Sequence, residues 1–242
     1  METTDDAVLG GKLNLLQPRR GHRAGHDAIL LAAAAPKSML ALDLGAGAGT
    51  AGLALLARKI AWQVTMVEID PALVALASEN AERNGFGNAV KVVRGDVTQS
   101  ISLPMDGFDL VILNPPFNDS AALQASPDGG RALAHMAESS MTERWILRAA
   151  RHCKSGGALT IIHRPEAILP ILKSLDGRFG AIEIIPVFPK PDASAIRLIV
   201  RAIKGRKTPT QMLPGITLND HDGKPSAAAE RILREGDSLF GD

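Results

Sequence analysis

Two stretches of this chain combine residue types that can do chemistry: a glycine-rich loop and an Asn-Pro-Pro-Phe sequence. The loop carries glycines at alternate positions, Gly45, Gly47 and Gly49, after a short apolar run. Glycine lets the backbone turn sharply and approach a ligand, and a following helix points its unpaired N–H groups at that ligand. This spacing fits G-x-G-x-G nucleoside-binding loops. Gly52 completes a G-x-G-x-x-G pattern, so a dinucleotide site fits as well.

Three carboxylates accompany the loop and help to separate these two interpretations. Asp43 precedes the first glycine, where a negative charge suits a cationic ligand such as S-adenosylmethionine better than a pyrophosphate. Glu68 ends the next apolar run, in the position of a carboxylate that binds a ribose diol. Asp96 ends the third run and can accept a hydrogen bond from the amino group of adenine, or act only as a turn residue. The set favours S-adenosylmethionine over a nicotinamide dinucleotide.

The Asn-Pro-Pro-Phe sequence, residues 114–117, follows a fourth apolar run, and ligands of open α/β sheets bind beyond the carboxyl ends of such strands. Two prolines cannot continue a strand and instead form a rigid turn. The Asn114 side-chain oxygen and the Pro115 carbonyl can accept both hydrogens of a planar amino group, and Phe117 can stack on the ring behind it. An amino group conjugated with adenine is a weak nucleophile that needs positioning more than a strong base. The motif therefore predicts methylation of a planar nitrogen.

Alternating strand and helix patterns surround these motifs and predict an α/β fold. We expect a doubly wound, mostly parallel sheet of seven strands with an antiparallel final strand pair. The predicted strands are 39–44, 63–68, 90–93, 108–113, 158–163, 182–188 and 195–202. The predicted helices are 50–60, 71–85, 141–153, 167–175 and 226–233, with a mobile loop over 119–130.

Composition narrows the class of protein further. The 242 residues are 45% hydrophobic but only 3% aromatic, so the core must be aliphatic. A lone cysteine, Cys153, excludes an internal disulfide, and we expect no metal site. The polar N-terminus is not a secretory signal and the apolar run 28–35 is too short to span a bilayer, so we expect a cytoplasmic protein without membrane contact.

A net charge of +1 gives no overall attraction to nucleic acid, but two local segments are basic. Residues 12–26 hold four basic side chains and no acid, and residues 190–207 hold six against one acid. Either segment is a solvated surface or an RNA contact, and we expect RNA contacts from Arg19, Arg20, Arg23 and Lys190.

In these motifs the chain resembles class I S-adenosylmethionine-dependent methyltransferases of the N/D-P-P-Y/F type, which have a Rossmann-like sheet. More narrowly, it is similar to bacterial tRNA (adenine-N6) methyltransferases that act on a valine tRNA. The similarity lies in the stretches LLQPRRGHRAGHDAILLAA, LDLGAGAG, VEIDP and LVILNPPF, and in the tail LNDHDGKPSAAAERILREG. It implies methyl transfer to the N6 amine of an adenine in RNA, with tRNA as the partner.

The resemblance also implies a role for each motif residue. In the segment 43–49, Asp43 and the three glycines would line the methionine end of the cofactor. Glu68 would bind the ribose, and Asp96 would bind the adenine amine. Asn114, Pro115 and Phe117 would hold the target base, with Asn114 also bordering the cofactor.

No composition break marks a domain boundary, so we expect one domain with an N-terminal extension: the extension is 1–35 and the methyltransferase domain is 36–242, and the resemblance implies that the extension packs over both sites. His26 departs from the G-T-D that relatives often carry, and Phe117 replaces the commoner tyrosine.

Other functions remain open on these residues. The planar nitrogen can also be a protein glutamine amide or the N2 amine of a ribosomal RNA guanine. Outside the methyltransferases, a nicotinamide-dependent oxidoreductase or a non-catalytic nucleotide-binding module fits the glycine loop but gives no reason for the Asn-Pro-Pro-Phe sequence.

Overall fold

The computed structural model describes residues 1–20, 25–116 and 129–240, with the backbone alone for residues 129–139. Its principal strands are β1 Thr3–Val8, β2 Leu13–Pro18, β3 Leu40–Leu44, β4 Gln63–Glu68, β5 Val90–Arg94, β6 Phe108–Leu113, β7 Cys153–His163, β8 Phe179–Phe188 and β9 Arg197–Lys204. Two further strands have two residues each, β10 Gln211–Met212 and β11 Ile216–Thr217. The helices are α1 His26–Ala34, α2 Thr50–Ala57, α3 Pro71–Arg83, α4 Gly129–His152, α5 Ile168–Leu175 and α6 Ala227–Glu230, which continues as a π-helical turn over Arg231–Glu235.

The central sheet has the long strands in the order β5-β4-β3-β6-β7-β9-β8. Strands β3 to β7 are parallel, and β9 is antiparallel to both of its neighbours, β7 and β8. The chain leaves β3 toward β5 on one side and returns to β6 on the other, so the strand order reverses between β3 and β6. Ligands of such sheets bind beyond the carboxyl ends of the strands at this reversal. We call this side of the sheet the carboxyl edge.

The predicted fold class is confirmed, including the antiparallel pair β8 and β9. The described sheet has nine strands and not the expected seven, because the two-residue strands β10 and β11 also pair with β8. Strands β3 and β6 read as nearly continuous apolar runs because helices cover both faces of the sheet. Helix α3 begins where Pro71 follows Asp70, whose side chain accepts a hydrogen bond from the Ala72 N–H at 2.8 Å.

Several predicted bounds were wrong, and long-range pairing explains the largest errors. Cys153 was expected to end a helix, but it begins β7 and pairs with Phe108 across a bulge in the ladder. Helix α4 begins at Gly129 and not at residue 141, so it takes in the last two residues of the expected 119–130 loop. Residues 119–128 of that loop lie outside the described part of the chain.

The N-terminal segment contains regular structure that its pattern did not indicate. Strands β1 and β2 form an antiparallel hairpin, although β1 is a polar sequence with an alternately exposed face. Helix α1 follows, and its residues Ala28–Ala34 are all buried, so it shows no polar stripe from which a helix could be predicted.

This segment packs directly on the α/β core that follows it. The Asn80 side chain on α3 accepts a hydrogen bond from the Leu16 N–H at 2.7 Å and donates to the carbonyls of Leu16 and Ala48, each at 2.9 Å. Helix α1 lies in the same apolar core as α2 and the sheet. The division of the chain at residue 35 remains a prediction. None of the helices in the described ranges has the length and apolar character needed to cross a bilayer.

Candidate active site

Strand register brings the motif residues to one place on the carboxyl edge. Leu44, the last residue of β3, pairs with Leu113 on one side and Val67 on the other. The glycine loop that begins at Gly45 therefore emerges beside Asn114, and Glu68 ends the next strand at the same level. Residues 95–96 follow β5 one strand further out.

Backbone hydrogen bonds hold the start of the glycine loop, and the first glycine has no room for a side chain. The N–H groups of Gly45 and Ala46 both donate to the Val67 carbonyl, at 2.8 and 2.9 Å. Gly45 has φ +76°, and a Cβ built on it would lie 2.3 Å from the Trp145 ring. Gly47 also has a positive φ, +57°, but a Cβ there would meet no atom within 4 Å. The loop is therefore packed against α4 at its start and open at Gly47.

Asp43 lies beneath this loop, buried to 2% exposure. Its Oδ2 accepts a hydrogen bond from the Gly52 N–H at 3.0 Å, near the start of α2. Burial raises the pKa of the Asp43 carboxyl to about 7; the negative charge of Glu68 acts in the same direction, and the Gly52 hydrogen bond opposes it. A cation above the loop would favour the ionised form of this group.

Glu68 joins the glycine loop to the start of the β4–α3 turn. Its Oε2 accepts from the Gly47 N–H at 2.9 Å, and its Oε1 accepts from the N–H groups of Ile69 and Asp70, at 2.8 and 3.0 Å. A carboxylate has about four acceptor positions, so one remains for a ribose hydroxyl. Glu68 thus positions the loop in addition to any contact with a ligand.

Asp96 lies in a turn, which was the alternative to a role in binding the adenine amine. Its Oδ1 accepts hydrogen bonds from the N–H and hydroxyl of Thr98, at 2.8 and 2.7 Å. Its Oδ2 makes no hydrogen bond to a described residue, so the turn leaves one acceptor for an amine.

Asn114 and Pro115 occupy the expected place after β6, but their surroundings differ from those of the carboxylates. Asn114 is half-buried, Pro115 is buried and Pro116 is exposed. No residue in the described ranges forms a hydrogen bond with the Asn114 side chain. Phe117, predicted to stack on the target base, lies outside the described residues.

Three of the four predicted RNA contacts can be located. Arg19 and Arg20 follow β2 and are exposed, with Arg19 3.5 Å from Glu2. Lys190 is exposed in the loop after β8; because β8 runs parallel to β7, that loop lies at the carboxyl edge. Arg23 lies outside the described residues.

Two structural features of this edge were not found from the sequence. Trp145 is a buried side chain of α4 whose ring holds Gly45 in place. An ion pair of 2.7 Å between Asp27 and Arg197 fixes the start of α1 to the first residue of β9, where the loop that contains Lys190 ends. Neither has a local signal, since the partners are far apart in the chain. Within the described ranges, no group of three or more His, Cys, Asp or Glu side chains is arranged to hold a metal ion.

Comparison with known proteins agrees with this geometry. A sequence model of the methyltransferase small domain family matches residues 25–187. The tRNA1(Val) (adenine(37)-N6)-methyltransferase of Porphyromonas gingivalis is 32% identical over 149 residues, which cover 58% of each chain. The ribosomal RNA small subunit methyltransferase C of Alcanivorax borkumensis is 29% identical over 175 residues, 72% of this chain and 43% of that protein. The chain thus spans about half the length of these curated relatives.

A solved structure extends the similarity over nearly the whole fold. The crystal structure of a predicted O-methyltransferase, Atu636 from Agrobacterium tumefaciens, superposes with a TM-score of 0.73 at 28% identity, covering 89% of this chain and 99% of that one.

The Rossmann-like sheet with the glycine loop at its carboxyl edge has the fold of S-adenosylmethionine-dependent methyltransferases. Within that class, the chain belongs to the methyltransferase small domain family. The expectation from sequence is therefore confirmed for the fold, the enzyme class and the cofactor, while the roles of the individual site residues remain predictions.

Proposed function

We propose that this chain transfers a methyl group from S-adenosylmethionine to the exocyclic N6 amine of an adenine in RNA, with tRNA as the substrate and the cytoplasm as its location. The observation that carries the proposal is the register of β3 and β6. It sets Asn114, whose amide is unbonded among the described residues, next to the glycine loop. A planar amine held by Asn114 would lie beside the cofactor loop.

The residues around the loop fit the cofactor. At Gly47 there is open space where any other side chain would begin, so a ligand can approach the backbone there. Asp43 supplies negative charge below the loop, Glu68 keeps one acceptor for a ribose hydroxyl, and Asp96 keeps Oδ2 for the adenine amine. S-adenosylmethionine, when bound, supplies an electrophilic methyl carbon.

At the target, the proposed work of the protein is positioning. The Asn114 side-chain oxygen and the Pro115 carbonyl accept the two hydrogens of the amine, which directs the nitrogen lone pair away from the ring. No strong base is needed, because the nitrogen becomes cationic when it gains the methyl group and is then acidic enough to lose its proton to water. Alignment of this kind supplies several kcal/mol toward a transfer that requires a collinear approach.

Support for an RNA substrate comes from the relatives and from the edge itself. Enzymes named for tRNA and for ribosomal RNA methylation both match this chain. Arg20 and Lys190 are exposed at or near the carboxyl edge, and residues 1–35 border it through the Asn80 contacts and the Asp27–Arg197 pair. We propose that this N-terminal segment packs over both sites and contributes to RNA binding.

Methylation of guanine N2 in ribosomal RNA is the second candidate. The similarity to the ribosomal RNA small subunit methyltransferase C proteins favours it, since that match covers more of this chain than the match to the tRNA enzyme. The two candidates share the cofactor site and differ only in the base that Asn114 would hold.

Two measurements test the proposal. In calorimetry, S-adenosylmethionine should bind and NAD should not; the reverse would identify an oxidoreductase. With labelled cofactor, the protein should transfer the label to unmodified tRNA, and nucleoside mass spectrometry should show N6-methyladenosine. Appearance of N2-methylguanosine in ribosomal RNA, or labelling of a glutamine-containing peptide alone, would replace adenine-N6 as the target.

A further inference from the structure

Helix α4 carries a line of arginines that no feature of the proposed active site uses. Arg144, Arg148 and Arg151 are spaced at i, i+4 and i+7, so they share one face of the helix, and with Thr98 and Leu147 they line a cleft of about 260 Å³. We call these three residues the α4 arginine strip. Arg144 and Arg151 are exposed, and Arg148 is half-buried with its Nε donating to the Val97 carbonyl at 3.2 Å.

No member of the strip has an acidic partner among the described residues. The positions three and four residues away on the helix hold Ser140, Met141, Trp145, His152 and other non-acidic side chains. Some other basic side chains of the described surface do have such partners, for example Arg83 with Asp5 and Lys204 with Asp106, each at 2.6 Å. The strip is therefore a local concentration of unneutralised positive charge.

This arrangement is unfavourable for the isolated protein. Like charges at i, i+4 on a helix repel each other and destabilise it. Burial lowers the pKa of Arg148, the charge of Arg151 lowers it further, and only Asp96 acts in the other direction. A polyanion lying along the strip would remove this repulsion.

The position of the strip connects it to the carboxyl edge. Thr98 is hydrogen-bonded to Asp96 at the end of β5. Trp145, next to the first arginine of the strip, contacts Gly45. At the other end, the Arg151 carbonyl accepts from the Asp106 N–H, before the start of β6. At 1.5 Å per residue, the strip extends about 10 Å from the cofactor side of the edge down the flank of the protein.

We propose that the α4 arginine strip binds backbone phosphates of the RNA substrate on the β5 side of the site, away from the segments that the sequence suggested. Arginine suits this role because its planar group can donate two parallel hydrogen bonds to a phosphate. The strip then forms a second RNA contact that directs the chain leading away from the methylated base. This inference rests on the proposed RNA substrate.

The test compares two double variants that remove the same charge. Arg144→Gln/Arg151→Gln changes the two exposed members of the strip, and Lys59→Gln/Lys173→Gln changes two exposed residues, one after α2 and one on α5, that lie outside both basic segments. Binding of unmodified total tRNA is measured against salt concentration, together with S-adenosylmethionine affinity and thermal unfolding.

The strip variant should bind tRNA roughly tenfold more weakly at low salt, and its slope of log affinity against log salt should fall by about 1.4 for two lost phosphate contacts. The control variant should retain both values, and all proteins should bind S-adenosylmethionine equally. Arg144→Lys/Arg151→Lys should keep most of the affinity, because the charge remains.

Each contrary result has one meaning. If wild-type protein binds and methylates tRNA and the strip variant matches it in affinity and slope, the strip is not an RNA contact while the proposed function stands. If the strip variant and the control lose affinity equally, net charge and not the strip is responsible. If wild-type protein binds no RNA but binds polyglutamate through the strip, the partner is an acidic protein and the RNA function fails with the inference.

Discussion

Two halves of the carboxyl edge treat their polar groups in opposite ways. In the cofactor half, at the ends of β3 and β4, Asp43 and Glu68 are already bonded to backbone N–H groups of Gly52, Gly47 and the β4–α3 turn. In the target half, after β6, the Asn114 amide has no partner among the described residues. Internal hydrogen bonds fix the conformation of the cofactor half. The Asn114 amide in the target half remains available for a hydrogen bond with a ligand.

The difference follows from what each half must do. A cofactor is the same in every turnover, so the loop that binds it gains from being preorganised. The target amine must form hydrogen bonds with the protein when the substrate binds. A side chain that is already hydrogen-bonded within the protein would first have to break that bond. Substitutions in the target half should therefore reduce turnover. Substitutions in the cofactor half should reduce stability or cofactor affinity.

The largest effect is expected for Asn114→Ala. Removing a preorganised polar contact at the reacting atom should reduce methyl transfer by about 10²- to 10³-fold. Cofactor affinity should change little, because the cofactor half is held by its own contacts. Steady-state kinetics and calorimetry on the same preparation check both values. Normal turnover would remove Asn114 from the target site, and a complete loss of cofactor binding would reassign it to the cofactor half.

Gly45→Ala should destabilise the protein by about 2–4 kcal/mol, from a strained left-handed backbone and a collision with the Trp145 ring. Gly47→Ala is the matched control: it has the same backbone strain but no collision, so its cost should be about 1–2 kcal/mol. Urea unfolding measures both. Equal losses in the two variants would show that Trp145 does not restrain the loop.

Asp43→Asn should weaken S-adenosylmethionine binding by about tenfold or more, since a charged contact is lost. In the wild type, the cofactor cation favours ionised Asp43, so binding below pH 7 must release a proton. The affinity of the wild type should therefore fall relative to the variant as the pH is lowered from about 7 to 5.5. Calorimetry across this range tests it; parallel pH profiles would show that Asp43 does not sense the ligand.

The same substitution should stabilise the empty protein. The folded pKa of Asp43 is raised to about 7 from 3.8, so the folded state holds the extra proton between these values and wild-type stability decreases as the pH rises through them. The stability of the variant does not decrease in this way. The difference between its melting temperature and that of the wild type should therefore increase from pH 4 to 7 and then remain constant. An advantage that does not change with pH would point to packing and not to charge.

The smallest effect is expected at the N-terminal basic segment. Arg19 is already close to Glu2, whereas Arg20 has no ion pair with a described residue. Arg20→Gln should weaken tRNA binding about threefold and lower the salt slope by somewhat under one unit. Arg19→Gln should do less. Unchanged binding in the Arg19→Glu/Arg20→Glu variant at low salt would mean that these side chains only solvate the loop.

The local sequence pattern predicted an element correctly where the residues of that element alone determine its structure. Strands 63–68 and 108–113 were predicted with the observed bounds, because each is a short apolar run closed by a turn signal. The glycine loop and the Asn114–Pro115 turn were recognised because backbone conformation there depends on residue type. The N-terminal hairpin was missed, since β1 is held by pairing with β2 and not by its own apolar pattern.

The sequence by itself determined which residue types follow each strand, and hence the class of chemistry, because turns and apolar runs are encoded within a few residues. Only the tertiary structure decided which of these residues meet. The reversal of strand order sets Asn114 beside Gly45, and the parallel course of β8 brings Lys190 to the same edge. The fold of α4 over β6 leaves three arginines on one face of the helix without an ion pair to a described residue. Contacts across long sequence separations come from packing many side chains at once, and no local pattern records them.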